Sequence, residues 1–142
     1  MRTWKICVIA TFIIVALLAA SFSGNQISGS FSISGCEKTF EGETRSAATS
    51  EFSVARQGNE VFFNQSIRTY CNLLDNFNIV YKREGDVITV LEIYSASSVT
   101  RCLCDMKVSG NFSLPDEKQY IVRFVFKSVP TNEEEILGET NV

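Results

Sequence analysis

Arg101-Cys102-Leu103-Cys104-Asp105-Met106-Lys107-Val108-Ser109-Gly110-Asn111-Phe112 is the stretch that decides the fold. Taken every second residue, Cys102, Cys104, Met106, Val108, Gly110 and Phe112 are apolar or small. The intervening set is polar apart from Leu103. A period of two is the signature of a strand with one face buried and one wet. Both thiols therefore point into one core, and Arg101, Leu103, Asp105 and Lys107 point away from it.

The first residues bear on the state of those thiols. Arg2 and Lys5 precede an apolar run from Ile6 to Ala20, and small residues follow at Ser21, Ser23 and Gly24. This is the order of a secretory signal peptide, read as residues 1–23. The run is shorter than the roughly 20 residues that span a bilayer, so a retained membrane anchor is the lesser reading. No Cys directly follows the run, so lipid anchoring is not expected. The remainder, roughly 120 residues, fits one domain. Losing Arg2 and Lys5 takes the formal net charge from −3 to about −5. With no basic run, nucleic acid is not an expected partner.

Cys7 belongs to the leader, which leaves Cys36, Cys71, Cys102 and Cys104. An even number in an exported chain reads as two disulfides. Cα atoms two apart along a strand are nearly 7 Å distant, at the limit for a bridge, so Cys102 and Cys104 are expected to pair with Cys36 and Cys71, in either order. Each closed loop is long enough for a bridge to contribute about 4 kcal/mol. A metal site is the weaker reading, because no Cys-x-x-Cys knuckle and no His are present.

Outward from the decisive stretch the chain reads as short strands. Residues 24–35 are a Ser/Gly-rich linker or a first strand, and Thr39 to Glu41 is a short one. Phe52 and Val54 mark another, followed by a Gln57-Gly58-Asn59 turn. Glu60 to Cys71 is one long strand or two. Phe77 to Arg83 and Val87 to Tyr94 form a hairpin about Glu84-Gly85-Asp86. The second of these is apolar on both faces, as a central strand would be. Gln119 to Val129 is the last strand, stopped by Pro130. Residues 131–142, with Glu133, Glu134, Glu135 and Glu139, read as a solvated acidic tail. No helical period appears beyond the leader. The expectation is an all-β, antiparallel, immunoglobulin-like sandwich of about seven strands over residues 36–130, with a calycin-like barrel as the alternative.

From Tyr70 to Phe126 the chain resembles a group of small envelope β-sandwich proteins of Bacteroidetes. The residues that carry the resemblance are Cys71, Gly85-Asp86-Val87-Ile88, Cys102-Leu103-Cys104-Asp105 and Tyr120-Ile121-Val122, with Ser34-Gly35-Cys36 as an early Cys. The resemblance implies a secreted or envelope location. It implies no enzymatic activity.

The chemistry left to these residues is sparse. Without His, neither Ser–His–Asp nor Cys–His catalysis is possible, and oxidised cysteines offer no thiolate. The carboxylates Asp105 and Glu92 are a conceivable pair, but an ion pair of Asp105 with Lys107 or Arg101 is the plainer reading. Aspartates in the turns serve turn geometry. No catalytic, cofactor or metal residue is expected. Two Asn-x-Ser sequons, at Asn64 and Asn111, would mark exposed positions if glycosylated.

What remains is surface. If the Cys-Leu-Cys strand pairs with the Gln119–Val129 strand, Leu103, Ile121 and Val125 form an apolar patch rimmed by Arg101, Lys107, Arg123 and Lys127. The functional expectation is a secreted or periplasmic, non-enzymatic binding or envelope-structural module. Its partner would be a protein or glycan of the envelope or extracellular space, with membrane contact only through a retained leader. A protease inhibitor using Ser95–Thr100 or Asn72–Asn76, and a carrier of lipid or small ligands, are the alternatives.

Overall fold

The computed structural model describes residues 27–36, 38–41, 52–73, 75–98, 100 and 102–142. The expected leader, residues 1–23, and Arg101 lie outside the described residues. Among the described residues nine strands follow in order: β1 (Gly29–Ile33), β2 (Lys38–Glu41), β3 (Phe52–Gln57), β4 (Glu60–Tyr70), β5 (Phe77–Glu84), β6 (Val87–Tyr94), β7 (Cys102–Ser113), β8 (Ile121–Ser128) and β9 (Glu133–Asn141). Among the described residues there is no helix.

They form two sheets and not a closed barrel. One has five strands in the order β1-β7-β4-β3, with β2 also on β7; the other runs β5-β6-β8-β9. Two hairpins fix local register through the same chemistry. Gln57 pairs with Glu60 across Gly58-Asn59, and Glu84 pairs with Val87 across Gly85-Asp86. In each loop only the glycine has positive φ, at 58° and 62°. That is the Gly-first form of the two-residue turn, whose twist matches the flanking strands. One pairing departs from an all-antiparallel arrangement: β6 and β8 run parallel, in register from Val87/Ile121 to Tyr94/Ser128.

The long strand β7 is central, with β1 and β2 on one side and β4 on the other. Its alternation holds as expected: Cys104, Met106, Val108 and Phe112 are buried. They meet Val61, Phe63 and Ile67 of β4, and face Ile88, Val90, Val122, Phe124 and Phe126 of the other sheet in one core. Phe124 lies at the middle, with the rings of Phe52 and Phe63 at 5.6 and 5.3 Å. Phe63 and Phe124 are fully buried, and each such ring contributes on the order of 2 kcal/mol through area removed from water.

The two open sides of the sandwich are closed alike, by an aromatic ring lying on a glycine of the opposite sheet. On one side Tyr81 of β5 covers Gly29 of β1 and donates its hydroxyl to the Ser30 carbonyl at 3.2 Å. On the other, Phe52 of β3 covers Gly138 of β9. Within the five-stranded sheet, Gly110 is cross-strand partner to Phe63 and lies under its ring. A Cβ there would meet the ring at 2.5 Å and the Ser30 carbonyl oxygen at 2.7 Å. Gly110→Ala is therefore expected to destabilise by about 1–3 kcal/mol through overpacking, read as a lower urea midpoint.

One expectation is corrected, and one pair of alternatives is decided. Residues 133–141 are not a solvated tail but the edge strand β9. Its glutamates are laid against the basic side chains of β8 by register. Arg123 pairs with Glu139 at 2.7 Å, and Lys127 with Glu134 at 3.8 Å. Leu137 packs on the core, and Tyr120 and Val142 exchange both backbone hydrogen bonds beyond the ladder. Residues 24–35, insofar as they are described, supply a strand, β1, which fills the edge beside β7.

Candidate partner surface

Both disulfides lie at one end of β7. Cys36 pairs with Cys104 and Cys71 with Cys102, with Cα atoms 5.4 and 5.5 Å apart. The first ties the β1–β2 connection to β7, and the second ties the end of β4 to the start of β7. The loops after β4 and β6 are joined beside them: Tyr94 donates its hydroxyl to Asn72 at 2.7 Å, and Ser95 N–H donates to the Asn76 carbonyl at 2.8 Å. Two disulfides place the protein in an oxidising compartment. Among the described residues no helix is long and apolar enough to cross a membrane.

The patch expected from sequence does not assemble as drawn. Strands β7 and β8 belong to different sheets, so Leu103 never reaches Ile121 and Val125. Leu103 is only 2% exposed, although it alternates with the inward Cys104. Its cross-strand partner Tyr70 is buried too, stacked on Tyr94 with ring centroids 5.3 Å apart. This end of the sheet is covered on both faces. Asp105 is half-buried in an ion pair with Arg68 at 2.9 Å, and Lys107 is exposed on the same outer face. Asp105 and Glu92 are not neighbours on a surface, for Glu92 is fully buried.

Ile121, Arg123 and Val125 do remain together, on the outer face of the four-stranded sheet. Register extends them into a surface that sequence reasoning missed. Val80 of β5 is opposite Leu91 of β6, Leu91 opposite Val125 of β8, and Val125 opposite Ile136 of β9. An apolar row thus crosses all four strands. It ends on Ile136, which is 63% exposed. Val125 itself is only 5% exposed because Leu91 and Ile136 flank it beside the irregularity at Phe124/Val125. The next row on one side is Lys82, Thr89, Arg123 and Glu139; on the other it is Asn78, Ile93, Lys127 and Glu134. An apolar strip thus lies between two rows that each carry an ion pair. The signal was present in the sequence as the two-sided apolar character of β6. It extends to a four-strand row only once β9 is known to be a strand.

The turns beside this face hold their charges in pairs. Lys118 contacts Asp86 at 2.5 Å, and that hydrogen bond raises its pKa. Asp116 is somewhat desolvated, yet hydrogen bonds from the Lys118 N–H and the Tyr120 hydroxyl hold its carboxyl below the usual range.

Among the described residues one carboxyl group lies fully inside. Glu92 on β6 faces Gln65 on β4, whose amide nitrogen donates to Glu92 Oε1. Burial pushes the Glu92 carboxyl up to about 8, against the smaller opposing effect of that hydrogen bond. Tyr81 is pushed up to about 12, by burial first and by Glu92 second. Among the described residues, Glu92 Oε2 and Gln65 Oε1 have no hydrogen-bond partner. A neutral carboxyl supplies the donor that this pair of acceptors lacks, so an amide and a protonated acid satisfy one another.

Comparison with protein-family models, curated proteins and solved structures finds no match to this chain.

Proposed function

We propose that the protein is an exported, non-enzymatic binding module that engages a protein partner through the outer face of its four-stranded sheet. The observation that carries this reading is the registered row Val80–Leu91–Val125–Ile136, open at Ile136 and lined on both sides by ionic pairs. The leader-like first residues, the disulfides and the pattern that resembles small envelope proteins of Bacteroidetes support an envelope or extracellular site of action. Both bridges staple the five-stranded sheet on which the four-stranded one packs, and a face preformed on a paired sheet loses little conformational entropy on binding.

The test is capture from envelope extract by the immobilised oxidised protein, compared with its Ile136→Glu variant. Ile136 is exposed, so this change should leave the unfolding midpoint within about 0.5 kcal/mol of the parent. A partner retained by the parent and weakened at least tenfold by the variant is the expected result. Equal retention by both would remove the assignment to this face.

A further inference from the structure

The sulfur atoms of Cys36, Cys71 and Cys104 all lie within 4.8 Å of one another, although they belong to two different disulfides. Two bridges tying separate segments to one strand have no need to touch. Here they are brought close together, because Cys102 and Cys104 share a face of β7. Accessibility is graded across the cluster: Cys36 is exposed, Cys71 and Cys102 are half-buried, and Cys104 is fully buried. Thiol–disulfide exchange depends on access to the attacked sulfur and on a nearby thiolate.

We propose that the two disulfides form a single thiol–disulfide exchange centre, entered by an external thiol at the exposed sulfur of Cys36. The external thiolate attacks Cys36 Sγ. A mixed disulfide forms there, the Cys36–Cys104 bond breaks, and its electron pair leaves on Cys104 as a thiolate. Cys104 Sγ already lies within 4.8 Å of Cys71 Sγ. It attacks that sulfur, the Cys71–Cys104 bond forms, the Cys71–Cys102 bond breaks, and Cys102 takes up the electron pair and a proton from water. The number of disulfides is unchanged. One thiol is now carried covalently on Cys36, one bridge has moved, and one cysteine is free. A second external thiol releases the first as its own disulfide and leaves Cys36 reduced. The co-reactant is a small thiol or the active dithiol of an exported oxidoreductase. The consequence is local: in the rearranged form the β1–β2 connection has lost its covalent tether to β7 and keeps only hydrogen bonds such as Ser34 N–H to the Lys107 carbonyl.

The oxidised four-cysteine protein is incubated with glutathione under native conditions, quenched in acid and alkylated, and its linkages are mapped by peptide mass spectrometry. The expected products carry glutathione on Cys36, a Cys71–Cys104 cross-link and alkylated Cys102. Glutathione on Cys71 or Cys102 would overturn the entry point. Cys36 adducts found only with alkylated Cys104 and an intact Cys71–Cys102 bridge would overturn the relay, and a protein that stays unreacted would overturn both. A Cys36→Ser variant starts one step later, with Cys104 free in the oxidised chain. A mixture of Cys71–Cys102 and Cys71–Cys104 bridges is expected there, and Cys71–Cys102 alone would count against the relay.

Discussion

Replacing Glu92 by Gln should make the protein more stable at pH 8–9 and flatten the dependence of its stability on pH. Glu92 is buried on β6, and its carboxyl is held near 8 against an ordinary value of 4.5. The folded state therefore keeps a proton that the unfolded chain releases. Stability contributed by this group is fully present below about pH 4.5, and is lost as pH rises towards and through 8. Across that window the parent should lose on the order of several kcal/mol. Glutamine has the shape of the protonated acid, and two facing amides can each donate to the other, so E92Q keeps the partnership with Gln65 without a titrating group. Urea unfolding at steps from pH 4 to pH 9 reads the effect. A parent whose midpoint rises steadily over this range, or an E92Q protein with the same slope, would show that Glu92 is ionised and satisfied in the fold. Gln65→Leu should destabilise at every pH, because it leaves the carboxyl buried without a partner.

Removing either disulfide should cost about 4 kcal/mol, and the two should differ in a set order. The Cys36–Cys104 bridge closes a separation of 68 residues and the Cys71–Cys102 bridge one of 31. Loop-closure entropy makes the longer one worth roughly 0.7 kcal/mol more. Cys36→Ala/Cys104→Ala and Cys71→Ala/Cys102→Ala, compared by denaturant unfolding, test this. The local outcomes differ as well. Without the first bridge, amide exchange should quicken in β1 and β2, which keep their ladders to β7 and, for β1, the contact with Tyr81. Without the second, it should quicken at the Tyr70–Asn76 connection. A larger loss from the shorter bridge would mean that native packing around the sulfurs outweighs chain entropy.

The sequence by itself determined everything that repeats at short range. The alternation in Cys102–Phe112 specified a strand with its thiols inward, and Gly58-Asn59 and Gly85-Asp86 specified two hairpins. The apolar character of both faces of Val87–Tyr94 specified a strand inside a sheet. These are local properties, since side-chain direction alternates with each residue and a two-residue turn needs only its glycine. Chain geometry also confined Cys102 and Cys104 to partners elsewhere, without choosing the order.

Tertiary structure alone decided which strands are neighbours, and with them the candidate surface. Nothing local says that β6 pairs with β8 in parallel while β7 pairs with β4 in another sheet; that follows from how two apolar faces best cover each other. Leu103 looked solvent-facing because alternation assigns it outward, yet Tyr70 and Tyr94 close over that end of the sheet. Residues 133–141 looked like a solvated tail because glutamates repel one another in isolation. Register against Arg123 and Lys127 turns that acidity into pairing, and Leu137 and Gly138 fit beneath the core and Phe52. The apolar row Val80–Leu91–Val125–Ile136 exists only because the β5–β6 hairpin and the β8–β9 pair, distant from each other in sequence, are brought into step by the parallel β6–β8 pairing.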